Sequence, residues 1–192
     1  MKKTLLSLAI ASLAAGQSVC AAVEKVYNEP DSVYIFSYAH PEDEGRSGLK
    51  FAWSPDGDKW LSVSDGFAYL KCDFGRWGAE KRMIKPLLEK AEDGRWYCRW
   101  QLTPSGKVWG TSHSSDLLKW APQQYVNAEK PAVPRLVTAR QIVLDKDTLN
   151  GYMQKVPYAD IEQLIRFAEH KKFRDIQNLS LIHISEPTRL LS

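Results

Sequence analysis

The sequence has little excess charge of either sign. Its 192 residues carry 26 Lys and Arg against 23 Asp and Glu, a formal net charge of +3, and the two signs are interspersed. No basic stripe points to nucleic acid, and no polybasic segment points to a membrane surface. Cysteine is scarce, with three in the chain. Cys72 and Cys98 have no histidine at ligand spacing, which excludes a structural zinc site of the usual kind. The apolar stretch from Leu5 to Ala15 is too short to cross a bilayer, so no membrane span is expected. Also lacking are a Gly-rich phosphate loop, a Ser-His-Asp arrangement and a cluster of metal ligands, so neither a cofactor nor a metal is expected.

What the sequence does have is tryptophan. All seven lie between Trp53 and Trp120. Two of them close a repeated box of the form Ser-x-Asp-x-x-Lys-Trp, found at Ser54 to Trp60 and again at Ser114 to Trp120, each time after a β-like apolar run. Recurrence at that spacing marks a repeat architecture. Within the box, Ser and Asp accept from nearby backbone N–H groups and stabilise a tight turn. The terminal Trp offers a wide apolar face and an N–H that needs a partner. An architectural role for the boxes follows.

The ends read differently from the middle. Met1 to Lys3 is a charged n-region, Leu5 to Ala15 an apolar h-region, and Val19-Cys20-Ala21 supplies residues suited to cleavage, so residues 1–22 read as a secretion signal. Cys20 as a lipidated cysteine is the alternative, which the bulky Val19 fits poorly. A periplasmic or secreted location follows, and it permits a disulfide between Cys72 and Cys98. Two separately buried thiols are the other reading. At the far end, Leu179 to Arg189 resembles the translated sequence of a transposase-type sequencing adapter. Residues 179–192 therefore read as a non-native tail on a natural gene still open near Asn178.

Between the ends, residues 23–127 read as two strand-rich units. Val33–Tyr38, Gly48–Trp53 and Phe67–Lys71 are the strands expected of the first. The second repeats the order with a strand within Met83–Glu89, then Trp96–Leu102, Lys107–Thr111 and Gln123–Val126. Neither unit buries both faces alone, so each must stack on a neighbour. Residues 128–178 read as a connector. It is Pro-rich from Glu129 to Pro134, carries a hairpin turn at Asn150-Gly151, and ends in a helix from about Asp160 to Arg174. Asp160 and Gln163 pair as a capping box there. Ile161, Leu164, Ile165 and Ala168 form one face of that helix, which packing on a following domain would cover. The fold class is mostly β: two antiparallel propeller-like blades, then a hairpin and one amphipathic helix.

This pattern resembles the N-terminal blades of glycoside hydrolase family 43-like five-bladed β-propellers, of the arabinosidase and xylosidase type. Tyr34–Tyr38, Gly48–Trp60, Asp93–Trp100 and His113–Trp120 carry the resemblance, which covers about residues 31–127. It implies a plant polysaccharide or oligosaccharide as partner and inverting hydrolysis by two carboxyl groups from different blades. One departure matters. Where related second blades carry Arg-Asp-Pro, this chain has Ile84-Lys85-Pro86, and Lys85 cannot act as a carboxylate. The expectation is an incomplete, inactive piece of a glycosidase. The alternative is a non-catalytic carbohydrate-binding or structural module. Asp73, beside Gly75, is the acid with least structural explanation. Trp77, Trp100 and Trp109 are the stacking faces a sugar ring would use, and His113 precedes the second box. These five residues are the candidate carbohydrate contacts, with a packed or hydrogen-bonded strand residue as the bland reading of His113.

Overall fold

The structure is a computed structural model that describes residues 30–184 apart from residue 65. Residues 1–22, read as a signal segment, and 185–192 of the tail read at 179–192 lie outside the described residues. Strand β1 (Ser32–Tyr38) and strand β2 (Lys50–Ser54) pair antiparallel, with Ile35 opposite Trp53, and a two-residue β3 (Leu61–Ser62) adds to β2. Strands β4 (Ile84–Lys90), β5 (Trp96–Gln101), β6 (Val108–Ser114) and β7 (Gln124–Asn127) form a consecutive antiparallel sheet. Strands β8 (Val137–Leu144) and β9 (Asp147–Pro157) form a hairpin, and the helix α1 spans Glu162–Ile184. The fold is therefore mostly β, with two antiparallel sheets and one helix.

The hairpin does more than connect. The whole of β1 pairs antiparallel with the second half of β9, Ser32 opposite Pro157 and Tyr38 opposite Gly151, so the first sheet has the order β3-β2-β1-β9-β8. Set beside the second sheet, β4-β5-β6-β7, the two are equivalent. Each has a box at the end of the strand second from one edge, β2 with Ser54 and β6 with Ser114. β9 then takes the place beside β1 that β4 takes beside β5. The fourth strand of the first unit comes from the other end of the chain.

The turn of that hairpin is not at Asn150-Gly151. Both residues lie inside β9, and the chain reverses at Asp145 and Lys146, whose φ angles are +51° and +84°. Positive φ at both central positions is the geometry that two-residue hairpins favour. Gly151 is required for another reason. A Cβ there would sit 2.3 Å from Ser37 O and 2.6 Å from Phe36 Cζ. Likewise, Phe67–Lys71 is not a regular strand. Only Leu70 bridges to Leu49, and the Phe67 and Tyr69 rings meet each other (centroids 4.9 Å apart) and Phe167 of α1.

One core joins the two sheets. Val33, Ile35 and Phe51 of the first meet Leu88, Trp96, Cys98 and Trp100 of the second, with Leu117, Ile161, Leu164 and Ile165 closing it. The Ser37 hydroxyl donates to Pro86 O at 3.0 Å across the same boundary. Leu164 and Ile165, at the start of α1, thus pack on this chain's own sheets, with Ala168 against them. Asp160 pairs with Lys90 of β4 where a capping residue was expected. A smaller core of Phe36, Tyr38, Ala52, Ile142, Leu144 and Leu149 covers the opposite face of the first sheet.

Candidate functional site

The boxes are turns, and their chemistry repeats atom by atom. Ser54 Oγ accepts from the N–H groups of Asp56 (3.3 Å) and Gly57 (2.8 Å) and donates to Asp56 Oδ1 at 2.9 Å. Asp56 Oδ1 accepts in turn from Asp58 N–H (2.9 Å) and Lys59 N–H (3.0 Å). In the second copy Ser114 Oγ accepts from Asp116 and Leu117, and Asp116 Oδ1 accepts from Leu118 and Lys119, all between 2.8 and 3.2 Å. Those backbone donors pull the Asp56 carboxyl down to about 2. Asp116 is more enclosed; burial raises its carboxyl, but the Lys119 and Leu118 N–H groups outweigh that and leave it lowered. Both acids are consumed by structure.

The five candidate sugar contacts do not converge. Trp100 is 0% exposed, flat against Gly110, where a Cβ would lie 2.2 Å from the indole. Trp109 is 6% exposed and its Nε1 donates to Gly106 O at 2.8 Å. Both rings are taken up by packing and have no face left for a sugar. Asp73 is tied to β7: the Tyr125 hydroxyl lies 2.5 Å from its Oδ1 and 2.6 Å from Gln123 Oε1, shared between the two. Burial, followed by the Asp73 hydrogen bond, pushes the Tyr125 phenol up. Trp77 stands apart, 73% exposed on a turn fixed by Glu80 Oε2, which accepts from the Arg76 and Trp77 N–H groups at 3.0 and 3.3 Å.

His113 lies against Tyr97, which lines one of the chain's clefts. In β5 the alternation puts Trp96, Cys98 and Trp100 into the core and turns Tyr97, Arg99 and Gln101 to the opposite face. Tyr97 lies opposite His113 of β6 and Glu89 of β4, with the Tyr97 and His113 rings 5.7 Å apart. Glu89, Asp93, Tyr97 and Arg99 form one wall of a cleft of about 600 Å³, and Arg135, Val137 and Gln154 form the other. Arg99 Nη2 is 2.7 Å from Glu89 Oε2, and the Tyr97 hydroxyl donates to Asp93 Oδ2 at 3.0 Å. The Arg95 N–H beside Asp93 holds its carboxyl below the usual range. Gln154 is 6% exposed, yet its Nε2 has no partner among the described residues.

The arrangement is suited to binding. Its size is that of a small-ligand site, but its lining is mostly charged, with Tyr97 as its one aromatic ring, which suits a polar ligand over an apolar one. Two of its carboxylates already have partners within the chain, Glu89 the Arg99 guanidinium and Asp93 the Arg95 N–H and the Tyr97 hydroxyl. Among the described residues no group of His, Cys, Asp and Glu is placed to hold a metal ion. Sequence reading missed Glu89, Asp93, Tyr97, Arg99, Arg135 and Gln154. The polar face of β5 was legible in its period of two, but its juxtaposition with residues 134–154 was not. No protein-family model, curated protein or solved structure matches the chain.

Proposed function

We propose that this chain is the glycan-binding part of a secreted plant-polysaccharide-handling protein, and that it carries out no hydrolysis itself. The resemblance of its boxes and strands to family 43-like glycosidases supports the ligand class. The cleft beneath Arg135 and Gln154 supports binding over catalysis, because its planar polar groups surround the Tyr97 ring. Guanidinium, carboxylate and amide planes match the paired hydroxyls of a sugar. The one observation that carries the reading is the cleft wall itself, where the Tyr97 ring lies among the Glu89, Asp93 and Arg99 side chains with Arg135 and Gln154 on the other side.

Affinity electrophoresis in gels containing arabinan or arabinoxylan tests this. Retardation is expected for the chain and is expected to weaken roughly tenfold or more in Arg99→Gln and Glu89→Gln, the loss of one charge-assisted hydrogen bond being worth about 1.5–3 kcal/mol. Trp77→Ala reports whether the exposed indole adds a second contact. No reducing sugar should be released. Retardation that is unchanged in both cleft variants, or absent on every glycan tried, overturns the proposal, and release of sugar restores the catalytic reading.

A further inference from the structure

The face of the hairpin that walls the cleft continues past it. Val137 opposes Gln154, Ala139 opposes Tyr152 and Gln141 opposes Asn150, so these three pairs follow one another along a single sheet face. The first pair lines the cleft already described. The next two line a second cleft of about 540 Å³, together with Lys85, Lys130, Arg140 and Gly151. The two clefts are consecutive stations on one hairpin face, and they differ in charge. The first holds Glu89, Glu92 and Asp93 beside its cations. The second has three cations in its lining and no carboxylate.

The groups around the second cleft are donors. Lys85 and Lys130 have no ion-pair partner among the described residues. Arg140 sits at the rim, 3.7 Å from Asp58 on its far side. Gln141 Nε2 donates to Asn150 Oδ1 at 3.2 Å, which occupies the acceptor of Asn150 and leaves its amide N–H groups to the cleft. Burial raises the Tyr152 phenol, which keeps it protonated. Lys85 is held there at a cost. Its φ is +49°, in the left-handed region, at a register shift between Ile84 and Leu87. A bulge of this kind re-aims a side chain, and a non-glycine residue in that region is strained, a combination that gathers at binding sites.

We propose that the cleft between Lys85, Lys130 and the Asn150–Tyr152 edge binds an anionic substituent of the glycan, a uronate carboxylate or a sulfate ester. This rests on the glycan-binding reading and narrows it to acidic polysaccharide. The sugar backbone lies along the hairpin face, with a neutral residue against Tyr97 and the acidic group one station along. Lys85, which stands where a carboxylate was expected, then has a role of its own in charge recognition.

The test compares retardation of the full chain in gels of polygalacturonate, a sulfated galactan and neutral arabinan, at low and at raised salt. The double variant Lys85→Gln, Lys130→Gln is run beside a control double variant, Lys59→Gln, Lys119→Gln, which removes the same charge at exposed box positions. Expected is stronger retention on an acidic glycan than on arabinan, weakened by salt and reduced about tenfold in the cleft variant alone. Preference between polygalacturonate and the sulfated galactan tells carboxylate from sulfate. Equal loss in both double variants assigns the effect to net charge and overturns the proposal, provided both variants melt like the parent chain. Retention on arabinan alone also overturns it while leaving glycan binding standing, and retention on no glycan overturns both.

Discussion

At the scale of single residues, tryptophan and glycine divide by what surrounds them. Trp77 and Trp100 are the same side chain at 73% and 0% exposure. Trp100→Ala should cost about 3–5 kcal/mol in urea unfolding, as large-to-small core changes do, whereas Trp77→Ala should stay within about 0.5 kcal/mol of the parent. Gly110→Ala should destabilise by about 1–3 kcal/mol, because the new methyl meets an indole that has nowhere to move. The first box makes a prediction about acid. Asp56 ionises in the folded chain at about 2, against roughly 3.9 in an unfolded one. Its carboxyl is depressed on folding, so its contribution is fully present above about pH 4 and is lost as pH falls toward 2. The gap in melting temperature between the parent chain and Asp56→Ala should therefore be widest near neutrality and close as pH drops from 4 to 2. A gap that stays constant over that range would contradict the hydrogen-bond pattern of the turn.

At the scale of elements, much of the β structure can be read locally, and the largest surprise comes from pairing at long range. Trp96–Leu102 alternates with period two, so β5 and its buried face follow from the residues themselves; β1, β2, β4, β6 and β7 follow nearly as well. The boxes identify the turn chemistry down to which hydroxyl accepts which N–H. Asn150-Gly151 shows the limit. That dipeptide is a strong local signal for a turn, yet the hairpin reverses five residues earlier at Asp145-Lys146. Gly151 is needed by β1, more than a hundred positions away, where Ser37 O and Phe36 leave no room for a side chain. Local pattern cannot report such an approach. The candidate site divides in the same way: Tyr97 and Arg99 could be placed on one strand face, while their meeting with Arg135 and Gln154 depends on the docked hairpin. Gly151→Val should therefore act on the β1–β9 seam. The expected outcome is about 1–3 kcal/mol of lost stability, with faster hydrogen exchange at β1 amides than at β5 amides. Equal acceleration in the two strands would mean that the hairpin is not an independent lock on the first sheet.

At the scale of the molecule, the shared core makes the two sheets and the helix one unit. Cys98, from the second sheet, is fully buried in the same cluster as Val33 and Ile35 of the first, Ile161 just before the helix and Leu164 within it. Cys72 lies in that cluster too, 3.5 Å from the Tyr125 hydroxyl, and the two thiols are free. Of the two readings open in sequence, separate buried thiols are the one observed. Burial pushes the Cys98 thiol well above its ordinary value, and only the thiolate reacts readily with a disulfide reagent. Both barriers fall together when the core opens, so modification of Cys98 should track global unfolding and not a local excursion. In increasing urea, its labelling under conditions where reclosing outruns reaction should have the slope of the equilibrium transition. A reductant should leave the melting temperature unchanged, since no bridge between these cysteines is there to break. If Cys98 instead labels with a slope well below the global value, the second sheet opens without the first. The core would then be two cores in contact, and the hairpin groove between them would widen and narrow as they part.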